Sequence, residues 1–444
     1  MGSGINSIDV DGDGAEDAER FDSDGLAGIS RRRLLRYMGA GIALGVLDPQ
    51  RVVNSAYAAR WLPTAHGRVW RATGTDVPDI TPYDDMFQTF MKRYGVRAAS
   101  FALSKDGALL YSRGYTWAES LYPATLPGTL FRLASVSKAF TNAAIFELSS
   151  AGRLNLATPV FPFLGITDIA LASQTPSPYI NEITVQNLLD MAGGWNDHQT
   201  VVATDGTTVP GTGFDPLFNL REIAQKLRLF GPPSKRDIAR YMYGEPLQFK
   251  PGTQDVYTTA GESYSNFGYL LLGMVIEAVT GTAYIRYVQQ LVRSLGITDL
   301  QLGHTAHSLR YPKEVWSYDS PDKGPSAFFP YFDVEAPFPY GGDDFLLDVG
   351  DSAGGLVTSA PSLVTFTHKY ISWGFGYRPD PVPNIVVSRN GGLPGARSYI
   401  VNSDTRVDYA FVMNTGNFPG AIEGSDPVSD LFTQLENYIL GHLF

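Results

Sequence analysis

Apolar residues in "TPYDDMFQTFMKRYGV" (81–96) recur at helical spacing, with Met86, Phe87, Phe90 and Met91 on one face. Pro82 suits a first turn, so the stretch predicts a helix. The period then changes. "RAASFALSKDGALLYSRGYTWAE" (97–119) alternates on either side of Lys105-Asp106-Gly107, which predicts two strands joined by a hairpin turn. "FRLASVSKAFTNAAIFELSSAG" (131–152) reverts to helical spacing, and from about 140 to 345 helical stretches mix with loops rich in Pro and Gly. Alternation returns at "SYIVNS" (398–403) and "VDYAFVMNTG" (407–416), before a closing helix from Ser429. Strands at both ends of a helix-and-loop middle predict an α/β (α+β) fold: an antiparallel sheet flanked by helices, with a mostly helical domain inserted. The expected division is a leader (1–58), an N-terminal extension (59–80), a sheet domain (81–139 with 345–444) and the inserted domain (140–344).

The leader breaks the pattern. Residues 1–29 hold eight acids against one base and are expected to be disordered. Within them "DVDGDGAEDAER" (9–20) imitates a calcium loop, with Asp9, Asp11, Asp13 and Gly14 at ligand and turn positions. Arg20 stands where the closing bidentate Glu belongs, so calcium is not expected. Arg31-Arg32 and Leu34-Leu35 follow, then an apolar run (37–47) too short to span a bilayer and "AYA" at 56–58. This resembles a twin-arginine export signal cut after Ala58; a basic amphipathic helix is the alternative. The expectation is an exported protein, periplasmic or extracellular, with no membrane span after the signal.

Composition narrows the chemistry. Of 444 residues, 44% are hydrophobic and 12% aromatic, ample for a large core. A net charge of -11 excludes the basic footprint of a nucleic-acid binder. Without cysteine there is no thiol catalysis, disulfide or cysteine-held zinc. His304 and His307 could share a helix face, but no third ligand stands at metal spacing. No metal or organic cofactor is expected.

Ser135 and Lys138 stand three apart at the start of a predicted helix, on one face. Free backbone N–H groups and the positive end of the helix dipole gather there. They would stabilise an attacking oxygen and the oxyanion it makes. An apolar wall would desolvate the lysine and lower its pKa toward a useful base. The spacing alone is weak: Ser320 and Lys323 repeat it in "SPDKGP", where Gly-Pro forbids a helix. Two further stretches strengthen the reading. "YSNFGYLLLGMVIEAVTG" (264–281) puts Tyr264 and Asn266 at the mouth of an apolar helix closed by Gly281. Tyr179 and Asn181 repeat the spacing without such a helix. "RNGGLPGARSYIV" (389–401) places a cation and two glycines just before a strand, where the backbone can approach a ligand closely.

These blocks, in this order, resemble the serine β-lactamase and penicillin-binding protein superfamily. The nearest branch is the class C-like one, with its D,D-peptidases, D-aminopeptidases, family VIII esterases and transacylases. "GTLFRLASVSKAFT" (128–141), "ITVQNLLDMAGGW" (183–195), "LQFKPGT" (247–253) and "AGGLVTSAPSLVTF" (353–366) extend the likeness from about residue 97 to the C-terminus. The resemblance implies Ser135 as the acyl-forming nucleophile. Lys138 and Tyr264 would share the general-base work and protonate the leaving group, while Asn266 orients the lysine and a substrate amide. The backbone N–H groups of Ser135 and Gly392 would form the oxyanion hole. It also implies a small-molecule or peptide ester or amide as substrate, handled by a carboxylesterase or D-amino-acid peptidase. A transacylase and a catalytically silent sensor are the alternatives.

The third motif departs from the family, which usually has Lys or His where Arg389 stands, before Asn390 and Gly391. Arginine cannot titrate, but its charge would depress the pKa of Tyr264, and its fork suits a substrate carboxylate. Three readings stay open: a carboxylate-bearing substrate, a degenerate site, or Arg389 turned away with Asn390 inward. A rival nucleophile is Ser352 in "GDSAGG" (350–355), a Gly-x-Ser-x-Gly match that resembles the elbow of an α/β hydrolase. It lacks a strong preceding strand and an upstream His-Gly-Gly-Gly segment. Trp195, Tyr257 and "FFPYFDVEAPFPY" (328–340) are candidates for lining a pocket, or for loop packing. The stretch "TQDVYTTAGESYSN" before the second motif points to a reshaped site.

Overall fold

Strands β1 (Arg68–Gly74), β2 (Ala98–Lys105), β3 (Ala108–Glu119), β4 (Val387–Leu393), β5 (Ala396–Asn402) and β6 (Val407–Met413) form one sheet in the order β1-β3-β2-β6-β5-β4. Every neighbouring pair is antiparallel. The N-terminal hairpin and the last strand therefore meet, β2 beside β6, as the sequence pattern implies. The structure, a computed structural model, describes residues 67–197, 214–254, 263–370, 387–402, 406–422 and 426–442; all lie in one unit. The leader, with its calcium-like loop and twin-arginine motif, lies outside the described residues, as does Tyr257.

Both faces of the sheet are buried, and the central strands divide their side chains by the period of two. On β2, Ala99, Phe101 and Leu103 join one core; Ala98 and Ala102 join the other. On β6, Tyr409 and Phe411 face the first core, Ala410 and Val412 the second. The first core is closed by α1 (Thr81–Tyr94) and α5 (Pro427–His442), through Phe87, Phe90, Leu431 and Leu435. The second core holds the helical middle: α2 (Ser137–Ser150), α3 (Asn266–Thr280) and α4 (Ala360–Lys369). The hairpin turn is as tight as its Asp-Gly implies. Lys105 pairs with Ala108, and Asp106 and Gly107 both take positive φ, 53° and 78°.

Three expectations change. Residues 68–74, placed in an extension, form the edge strand β1, with Trp70 opposite Trp117; Arg68, Arg71 and Thr73 blur its alternation. Arg389–Gly392 do not precede a strand but lie inside one, the edge strand β4. Asn-Gly-Gly reads as turn chemistry, and pairing along β5 overrides it. The boundary set at residues 139/140 falls within α2, which packs into the core shared by sheet and helices.

Candidate active site

Ser135 sits on a single 3-10 turn, Ala134–Val136, that runs directly into α2. Ala134 takes φ 47°, a left-handed conformation rare for a residue with a side chain. Such strain persists only where the surroundings enforce it. Here Val136 N donates to Leu133 O (3.1 Å), Leu133 N to Leu356 O (2.9 Å) and Leu356 N to Ser137 Oγ (3.1 Å). The segment Leu356–Thr358 is thereby stitched to the turn. Ala134 and Val136 are buried while Ser135 keeps partial exposure, so the turn presents the serine outward.

Lys138, one helical turn on, is fully buried. Its Nζ donates to Ser135 Oγ (3.0 Å), Asn266 Oδ1 (2.6 Å) and Ala353 O (2.7 Å). Ser135 Oγ lies 2.7 Å from Tyr264 OH, and that phenol stands 3.3 Å from Asn266 Oδ1. Tyr264 and Asn266 come together because α3 begins at Asn266, with Ser265 as N-cap accepting from Gly268 N. Gly281 closes the helix in the left-handed conformation (φ 66°). Two of the three blocks thus converge on one hydroxyl, from positions 129 residues apart.

β4 supplies the third wall. Gly391 is pressed against the nucleophile turn: a Cβ there would collide with Leu133 O and stand 2.8 Å from Ser135 N. Arg389, on the same strand face as Gly391, is 4% exposed, and its charge acts on both Lys138 and Tyr264. Asn390 is exposed and reaches Tyr399. Arg389 therefore faces the site and Asn390 faces away, which removes the third reading of this motif. Gly392 is exposed, and a Cβ on it would collide with the Arg397 guanidinium. From there a groove of about 630 Å³ runs past Leu393, Gly395, Arg397, Phe218 and Asp426.

Electrostatics separates the two candidate bases. Burial first, then the Arg389 charge, lowers the Lys138 pKa to about 7, although Asp215 and Asp197 pull it upward. For Tyr264 the loss of water around the phenol outweighs everything else and pushes the pKa well up, although Ser135 and Arg389 oppose it. The expectation that Arg389 would leave Tyr264 with a depressed pKa is thus overturned: its effect has the right sign and the wrong size. At neutral pH the lysine is the group that titrates and the tyrosine keeps its proton.

The competing motifs go elsewhere. Ser352 is fully buried, hydrogen-bonded to Asp351 Oδ1 (3.1 Å) and wedged against Gly273 of α3. Its stretch serves the site through the Ala353 carbonyl instead. Lys323 lies on a short strand, Lys323–Pro325. Asn181 bonds Tyr243 OH (3.4 Å). Trp195 is buried edge-on to Phe267 (4.8 Å) and packs rather than lines. His304 Nδ1 pairs with Asp348 (2.7 Å), and His307 lies in a separate short turn. Two acids were not foreseen. Asp197 accepts from Asn266 N, and Asp215 Oδ2 accepts from Asn266 Nδ2 (2.6 Å). In the sequence they are Asn-Asp and Asp-Pro, indistinguishable from turn residues.

The family model for β-lactamase matches residues 83–401. The chain belongs to the β-lactamase family. This β-lactamase-family chain is similar to protein flp of Staphylococcus aureus (strain N315), 27% identical over 206 residues, 46% of this chain and 34% of that one. A putative D-alanyl-D-alanine carboxypeptidase of Escherichia coli (strain K12) is 26% identical over 46% of this chain and 43% of that one. The match thus spans well under half the length of either relative. Among solved structures, an octameric penicillin-binding protein homologue from Pyrococcus abyssi superposes with a TM-score of 0.54 at 19% identity, covering 82% of this chain and 78% of that one. It shows the fold.

Proposed function

We propose that this β-lactamase-family hydrolase works through a Ser135 acyl-enzyme on an ester or amide, as a carboxylesterase or D-amino-acid peptidase. The observation that carries the reading is the contact of one partly exposed hydroxyl with both Lys138 Nζ (3.0 Å) and Tyr264 OH (2.7 Å). Neutral Lys138 takes the Ser135 proton as Oγ bonds to the substrate carbonyl carbon. The resulting oxyanion is met by the backbone N–H groups of Ser135 and Gly392. Tyr264 gives its proton to the departing oxygen or nitrogen and is reprotonated by the Lys138 ammonium. Water then attacks the acyl-enzyme by the reverse proton path.

A lysine with its pKa lowered to about 7 beside the hydroxyl favours an acylated serine over a pure binder. Arg389 is nearly buried, and Arg397 borders the separate groove that opens at Gly392; a carboxylate reaching that groove is assigned to Arg397. The kinship with a putative D-alanyl-D-alanine carboxypeptidase accords with a peptide that ends in a D-residue. Export through the twin-arginine-like leader belongs to the same proposal. The test is intact mass after exposure to a fluorophosphonate and to a fluorescent penicillin. Wild type and Ser352→Ala should gain one adduct and Ser135→Ala none; labelling that survives in Ser135→Ala defeats the reading.

A further inference from the structure

Two buried carboxylates stand behind the site and take no part in the steps above. Asp197 and Asp215 are 5% and 6% exposed. Both are tied to Asn266: Asp197 accepts from its backbone N–H, and Asp215 Oδ2 accepts from its side-chain Nδ2 at 2.6 Å. Asp215 is itself fixed, its Oδ1 accepting from Leu217 N (2.9 Å) as the cap of a short turn. Asp197 N donates to Tyr264 O (2.8 Å), so the same residue also holds the backbone of the tyrosine.

An asparagine amide can point either way, and only one way serves this site. With Oδ1 toward Lys138 it accepts from the lysine at 2.6 Å. Turned over, it would set a donor against a donor. A carboxylate offers acceptors only, so Asp215 claims the NH2 end and leaves the oxygen for the lysine. We propose that Asp215, with Asp197 beside it, is a positioning residue that locks the Asn266 amide and supplies the negative charge against which Lys138 and Arg389 are held together. The proposal rests on Lys138 being the base that activates Ser135.

Among the described residues the charges around the lysine oppose one another. Arg389 from β4 and burial act against its ammonium form, and Asp215 and Asp197 act for it. Burial and the nearness of Asp215 push the Asp197 carboxyl well above its usual range. Two carboxylates in one dry site each hold their protons more tightly than either would alone. Replacing Asp215 alone leaves Asp197 as a second source of charge, and it removes one of the causes that raise the Asp197 pKa. The charge is removed only when both are replaced.

The experiment follows the second-order rate of fluorophosphonate labelling against pH. In Asp197→Asn/Asp215→Asn the acid limb should move down by roughly one pH unit, because the lysine loses its stabilising charge. Adding Arg389→Gln to that variant should bring the limb back toward wild type. Asp215→Asn alone should give a smaller shift with a lower maximal rate, and it serves if the double variant does not fold. Residues that merely cap α3 would lower the melting temperature and leave the limb where it was, and that result would falsify the proposal. If wild type is not labelled at Ser135, the acyl-enzyme reading fails together with it.

Discussion

Gly391 and the backbone nitrogen of Ser135 are in direct apposition: a Cβ on the glycine would lie 2.8 Å from that nitrogen and run into Leu133 O. The nucleophile turn and the edge strand thus fix one another, across segments that share nothing in sequence. Gly391→Ala should force β4 away from the turn and spoil the alignment of attacking oxygen and oxyanion donors. Small misplacements of this kind cost about 10²-fold in rate. The expected result is a loss of that size in the fluorophosphonate labelling rate, with the fold retained by circular dichroism.

The lysine sets the pH dependence. Its folded pKa is lowered to about 7, chiefly by burial, and in the proposed mechanism the base is the unprotonated amine. Activity should therefore rise as pH climbs through about 7 and level off above it, with kcat/KM measured on a chromogenic ester. Lys138→Arg puts a group there that cannot release its proton, and turnover should fall by about 10²–10⁴-fold at every pH. A limb unchanged in a partly active Lys138→Arg enzyme would assign the titration to another group.

Tyr264 should behave differently. Its proton stays on through neutral pH because burial pushes its pKa up, so its service is to the leaving group. Tyr264→Phe should keep the acid limb and lose about 10²–10⁴-fold on an alkyl ester or anilide. The loss should shrink on a nitrophenyl ester, whose leaving group departs without help. Equal losses on both substrates would place the tyrosine in the attack step.

What could be read from the sequence was what depends on local period and turn chemistry. The helix over Met86–Met91, the Asp106-Gly107 hairpin and the meeting of that hairpin with the last strand follow from spacing alone. The pairing of Ser135 with Lys138 is allowed by the i, i+3 spacing, but it took the Tyr264 and Arg389 stretches to set it apart from Ser320 and Lys323. The parts that escaped depend on neighbours far along the chain. β4 carries Asn-Gly-Gly, which locally favours a turn, and only its ladder with β5 makes it a strand. Asp197 and Asp215 look like loop acids until α3 brings Asn266 between them. The balance between burial and Arg389 at Tyr264 needed to know how deep the phenol lies, which no motif states.

Arg397 and Arg389 divide what the sequence had assigned to one arginine. Arg389 is 4% exposed, and its charge acts on Lys138 and Tyr264. Arg397 borders Gly392 in the groove, and Asp426 Oδ1 stands 3.8 Å from its Nη2, too far for a strong hydrogen bond. On the proposed reading its guanidinium exchanges that weak ion pair for a substrate carboxylate held in fork geometry. A hydrogen bond to a charged group contributes about 1.5–3 kcal/mol, or roughly ten- to hundredfold in affinity. Arg397→Gln should raise KM by that factor for substrates with a free carboxylate beside the scissile bond, leave kcat within a few-fold, and barely alter a neutral ester. Arg389→Gln should do the reverse, moving the pH limb upward because the lysine loses a repelling charge, with little preference between the two substrates. A KM effect from Arg397→Gln that is equal on neutral and carboxylate substrates would show the residue to be shaping the groove and not reading charge.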